Sequence, residues 1–340
     1  MNLAQDQIDT IASLGYTETE ASFLYLVATY SGYFTLRQFL SFAGAYRGKR
    51  STSFAGKLLR HGHASIRDYL GAGSVFHLYS RHLYGPIEKD NLRNRRRHSF
   101  EYIRTRLVLL DFILQNLACE FLETENDKVR FFCETLAVPK ELLPAKVYEG
   151  GKGTRPTLRY FVDKFPLAID RGVPGSSPVA TFSYVDSGSS SLAHFGLHLA
   201  AYQGLFRCLA AFRFLYIATR PAPFPRAEKR FRSCVQEPLE SDASSEVLRY
   251  FTVRRKWERH EYIVPVTQDL EFLREARRRF HTQNFEDLYQ GWLRGEVVDE
   301  RLRAQFAEPA PHRKISFETY LVRAATSPVD ERQKRHVNVA

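Results

Sequence analysis

Residues 50–79, RSTSFAGKLLRHGHASIRDYLGAGSVFHLY, decide the fold. The first half is helical in pattern. Phe54, Leu58 and Leu59 face inward, and Gly62 stops the helix, because glycine reaches the left-handed backbone that ends helices. The second half, two short runs around Gly71-Ala72-Gly73, predicts a β-hairpin with a tight tip. Two more helices are predicted upstream. Residues 17–30 open with Thr17 and Glu20 in a capping-box pattern, and residues 35–43 set Leu36, Phe39 and Leu40 on one face. Three short helices followed by a hairpin is the winged-helix plan, in which the third helix enters the DNA major groove and the hairpin touches the backbone.

The third helix carries the charge this plan needs. Arg47, Lys49 and Arg50 cluster at its start, Ser53 is a small polar residue in its first turns, and Lys57 and Arg60 follow. These are the candidate DNA contacts. Ordinary solvated positions on a helix that packs a small core would give the same pattern. Next, NLRNRRRHSFEYIRTRLVLLDFILQN at 91–116 places Arg95, Arg96 and Arg97, with Arg93, ahead of a long apolar helix. A basic start to such a helix suits a phosphate clamp, since each neutralised phosphate releases counterions. A solvated helix end is the alternative. Residues 1–118 hold 15 Lys+Arg against nine Asp+Glu, so about half of the chain's net charge of +11 lies there.

Composition fits a polyanion partner. The chain has 340 residues, 44% of them apolar with 26 Phe and 18 Tyr, enough for two or three cores. A pI near 9.5 favours nucleic acid or another anionic surface. Cys119, Cys133, Cys208 and Cys234 are widely spaced without a C-x-x-C, which argues against a zinc cluster or a disulfide framework and for a reducing, cytoplasmic setting. The first residues lack a signal-peptide pattern, and no apolar run is long enough to span a bilayer.

From residue 157 the pattern becomes α/β: strands near 157–163, 165–169 and 179–185, a helix at 192–212, a strand at 214–219 and a helix at 225–235. TLRYFVDKFPLAID (157–170) carries Asp163 at an expected strand end, and ATFSYVDSG (180–188) carries Asp186 at another. Two such aspartates can hold Mg²⁺, with Glu123 or Glu125 as helpers, or they can be turn formers. The loop GGKGTRP (150–156) fails the phosphate-loop pattern and reads as a flexible hairpin or lid. Residues 236–282 read as charged helices with internal ion pairs, and 308–340 as a tail with a helix at 316–325.

This order of elements resembles the replication-relaxation family of plasmids and integrative elements. The residues that carry the resemblance are KLLRHGHASI (57–66), VFHLY (75–79), the strand with Asp163, YVDSG (184–188), HLAAYQGLF (198–206) and FLYIATRP (214–221). The resemblance, which covers roughly residues 17–235, implies an N-terminal winged helix (1–92), a basic linker helix and connector (93–150) and a small restriction-endonuclease-like α/β domain (151–235); with the helical C-terminal region (236–307) and tail (308–340) read from the residues, the chain is expected to be α+β. It implies double-stranded DNA as partner, together with other replication or mobilisation proteins. It also implies a second metal-binding carboxylate where this chain has Tyr184, so the nuclease-like site is expected to be degenerate. No cofactor is expected in the DNA-binding reading. Mg²⁺ enters only in an alternative, a nuclease or nickase using Asp163 and Asp186. A protein-interaction adaptor is the third reading. His61, His63, His77, His82 and His98 show no metal spacing and are expected at the surface.

Overall fold

The computed structural model describes residues 5–46, 48–69, 73–89, 92–148, 157–163, 165–173, 176–188, 191–235, 242–261, 267–280, 282–299, 302 and 314–323. The chain is a mixed α and β protein that divides into two compact units, one holding residues up to Val235 together with those from Lys314 on, the other spanning Gln236–Arg313.

The first unit begins with α1 (Gln5–Ala12) and α2 (Glu18–Leu26), which continues into a π-helical turn, Val27–Ser31. Thr17 and Glu20 form the expected capping box. The wide turn leaves backbone carbonyls to satisfy, and Asn94 Nδ2 donates to Ala28 O at 3.0 Å and Thr29 O at 3.1 Å. Gly32 follows at φ +79°, where a side-chain carbon would collide with the Asn94 carbonyl oxygen, so both backbone and space require glycine. Next come β1 (Tyr33–Thr35), α3 (Leu36–Phe42), α4 (Lys49–Arg60), β2 (Ala64–Tyr69) and β3 (Gly73–Leu78). Strands β2 and β3 pair antiparallel from Ala64↔Leu78 to Tyr69↔Gly73, and β1 adds on the far side of β3. Gly71 and Ala72 of the expected tip lie outside the described residues. A ring cluster fills the centre: Phe54 packs on Phe39 at 4.0 Å and contacts Phe23 and Phe34.

After α5 (Arg81–Tyr84), α6 (Phe100–Gln115) starts at Ser99, whose side chain accepts from Tyr102 N. Beyond it lie β4 (Glu120–Phe121), α7 (Glu125–Arg130), β5 (Ala145–Tyr148), β6 (Thr157–Tyr160), β7 (Ala168–Asp170), β8 (Val179–Asp186), α8 (Leu192–Cys208), β9 (Ala211–Ala218) and α9 (Phe224–Val235). The second unit contributes α10 (Asp242–Glu258), α11 (Thr267–Arg279) and α12 (Gln283–Leu293) around Tyr250, Phe251 and Tyr289. The chain then returns as β10 (Lys314–Leu321).

Strand β10 corrects the expected helix at 316–325. KISFETYL runs parallel to β9 from Lys314↔Ala211 to Leu321↔Ala218 and closes a five-stranded sheet of order β10-β9-β8-β7-β4. Its alternating Ile315 and Phe317 pack beside the β9 rings, a period-two pattern that a helix would waste. In this sheet β8, β9 and β10 are parallel, and β7 and β4 antiparallel. Alternate residues serve opposite faces. Phe182, Tyr184, Phe212, Phe214 and Tyr216 meet α8 and α9, whereas Val185 and Ile217 share a core with α6 and the N-terminal helices. One apolar cluster therefore runs from Ile8 to Val322, and α6 lies within it.

Candidate nucleic-acid interface

Helix α4 exists because Ser51, Phe54 and Leu58 recur at three- and four-residue steps and are buried. Its other side is solvent-exposed and presents Lys49, Arg50, Thr52, Ser53 and Arg60. The helix has no Asp or Glu. Small residues at Ser53 and Gly56 sit between cations at the two ends. Arg60 is exposed, and its Nε donates to Gly56 O at 3.3 Å.

Lys57 is placed differently from its neighbours. Its Nζ lies 2.7 Å from Glu20 Oε2, and the Glu20 side chain is only 5% exposed. The same Oε2 accepts the Thr17 N–H at 2.9 Å, so Lys57 ties α4 to the cap of α2. Arg47 lies outside the described residues. Arg96 and Arg97 are exposed; Arg95 is half-buried, with Nε donating to Tyr79 O at 3.1 Å and its guanidinium 5.8 Å over the Tyr84 ring. Arg97 lines a small depression with Arg67, His77 and His98, which joins the hairpin to the basic segment. Arg67 is a contact candidate that the sequence reasoning passed over. Its alternation on β2 was the available signal.

His63 and His77 are buried, not surface residues. Tyr16 Oη lies 2.8 Å from His63 Nδ1, and His77 stacks on Tyr33 at 4.4 Å with Nε2 3.1 Å from Asn94 O. Burial lowers the His77 pKa to about 4, only partly opposed by the Asn94 hydrogen bond.

The two aspartates are not at adjacent strand ends. Strand β6 pairs with β5 in a separate two-stranded sheet, and Asp163 falls in the turn beyond it. Asp163 Oδ2 accepts from His198 Nδ1 at 3.1 Å, and Oδ1 accepts the Phe165 N–H at 3.1 Å. Burial pushes its carboxyl up, but His198, Lys128 and that N–H outweigh it and hold the pKa at about 2. Asp186, at the end of β8, is buried. Its Oδ2 accepts the Tyr216 hydroxyl at 2.8 Å and its Oδ1 the Gly188 N–H at 2.7 Å. Burial and this bond raise the Tyr216 pKa. The Tyr184 ring packs against His198 at 5.3 Å and Tyr216 at 5.6 Å, which puts it between the two carboxylates' partners. Glu123 bonds Tyr25 at 2.7 Å and Lys89 at 2.6 Å, and Glu125 bonds Arg159 at 2.7 Å. Each acid thus has its own partner, and among the described residues no group of three His, Cys, Asp or Glu side chains could hold a metal ion. The loop at 150–156 lies outside the described residues. Among the described residues no helix is long and apolar enough to cross a membrane. Compared with known protein families, curated proteins and solved structures, the chain matches none.

Proposed function

We propose that the chain binds double-stranded DNA through a winged helix, with α4 in the major groove and the β2–β3 hairpin against the backbone. The observation that carries this is the acid-free outer face of α4, where Lys49, Arg50, Thr52, Ser53 and Arg60 are exposed together. Lysine and arginine supply affinity through phosphates, and short polar side chains between them reach base edges. Arg67, Arg96 and Arg97 extend the phosphate-contacting surface beyond the helix. The restriction-endonuclease-like domain acts as a scaffold, since its aspartates hold local structure. The resemblance to the replication-relaxation family makes a plasmid or integrative element the natural setting and its replication or mobilisation proteins the further partners.

The test is binding of a labelled random duplex across a salt series, wild type against Lys49→Ala/Arg50→Ala/Arg60→Ala. Each lost phosphate contact should reduce the slope of log K against log salt by about 0.9, so the triple variant should lose roughly 2.7. Weak wild-type binding at every salt concentration would move the chain to the protein-adaptor reading.

A further inference from the structure

At the C-terminal edge of the parallel strands, two arginines lie beside one glycine, and a third lines the cleft that this glycine borders. A carbon placed on Gly188 would lie 3.2 Å from Arg220 Nη2, 3.7 Å from Arg104 Nη2 and 3.8 Å from Thr219 Oγ1. Arg226, in the first turn of α9, lines an open cleft of about 360 Å³ together with Gly188, Thr219 and Arg220. Arg104 comes from the second turn of α6, Arg220 from the segment after β9. Among the described residues none of the three arginines makes an ion pair. Like charges gathered without a counterion repel, and an anion relieves that repulsion. Among the described lining residues the one carboxylate, Asp186, is hydrogen-bonded to Tyr216 and the Gly188 amide and forms no ion pair with the arginines, so a single negative charge faces more than one guanidinium. In parallel α/β sheets this edge is also where ligands bind, because the helices that follow the strands begin there. Gly188, at φ +83°, keeps the space open.

We propose that this cleft is a phosphate-binding site, lined by Arg220, Arg226 and Thr219, with Arg104 beside Gly188. It is separate from the α4 surface and does not depend on it. Planar guanidinium groups match phosphate oxygens two at a time, which lysines on a surface do not. The phosphate can belong to a nucleic-acid strand or to a small phosphorylated ligand.

The full chain is titrated calorimetrically with inorganic pyrophosphate, and by anisotropy with a 5′-phosphorylated oligothymidylate. Wild type, Arg220→Ala/Arg226→Ala, Gly188→Ala and Lys49→Ala/Arg50→Ala are compared. Both arginines in the double variant are exposed, so it should fold as wild type does. Binding should weaken at least about tenfold in the double variant and fall in Gly188→Ala, while the α4 variant binds pyrophosphate as wild type. Arginine-dependent binding of pyrophosphate alone identifies a small phosphorylated ligand, and of the oligonucleotide as well, a strand. Either result supports the site. No binding of either probe by wild type, or equal binding by the arginine double variant, overturns it.

Discussion

Lys57 and Arg60 sit three residues apart on α4 and should respond to alanine in opposite ways. Lys57 Nζ is 2.7 Å from a Glu20 carboxylate whose side chain is 5% exposed. Removing the ammonium leaves that carboxylate buried with the Thr17 N–H as its remaining partner at Oε2. An uncompensated buried acceptor costs about 1–3 kcal/mol. For a unit of this size that corresponds to a fall of roughly 2–10 °C in Tm. Arg60 is exposed and among the described residues bonds only its own helix, at Gly56 O, so its loss should change stability by less than about 0.5 kcal/mol. On DNA the order reverses. Arg60→Ala should reduce the salt slope by about 0.9, whereas Lys57→Ala should leave it near the wild-type value. Differential scanning fluorimetry and duplex anisotropy on the same preparations give both readings. A Lys57→Ala variant that keeps its Tm and loses slope as Arg60→Ala does would refute the assignment of Lys57 to the α2 cap.

The buried His77 gives stability a pH dependence. The unfolded chain takes up this proton near pH 6.5 and the folded chain only near 4, so the unfolded state binds more protons between them and stability falls as pH drops through that window, by up to roughly 3 kcal/mol. Urea unfolding of wild type and His77→Phe from pH 7 to pH 4 should show a flatter profile for the variant; parallel profiles would remove His77 as the cause. In the second unit, Arg254 donates to Glu286 at 2.7 and 3.0 Å and to Glu258 at 2.7 Å, above the Tyr289 ring at 4.0 Å. Arg254→Ala should destabilise that unit by about 1–3 kcal/mol. The chain's two tryptophans, Trp257 and Trp292, both lie in this unit, so their fluorescence during denaturation reports on it, and an unchanged midpoint would sink the claim.

Local chemistry was legible from the residues alone. The Thr17–Glu20 capping box, the inward Phe54 and Leu58, the Ala64 to Leu78 hairpin and the α8 and β9 runs each depend on neighbours within a few turns, and the pattern carries them. Partners distant in sequence were not legible. Lys57 looks like Arg60 until the fold brings Glu20, 37 residues away, against it. Asp163 and Asp186 look like a pair until β6 turns to β5 and Tyr184 comes between their partners, His198 and Tyr216. Strand β10 reads as a weak helix because its partner β9 lies nearly a hundred residues earlier, across a second compact unit. Arg104 and Arg220, the two arginines beside Gly188, are more than a hundred residues apart, so no spacing in the sequence announces them. The sequence by itself determined most of the helices and strands of the first 235 residues and where positive charge accumulates, because those follow from short-range periodicity and composition. The tertiary structure alone decided which charges are used up in ion pairs and which remain exposed, because that depends on what long-range packing places within a few ångströms.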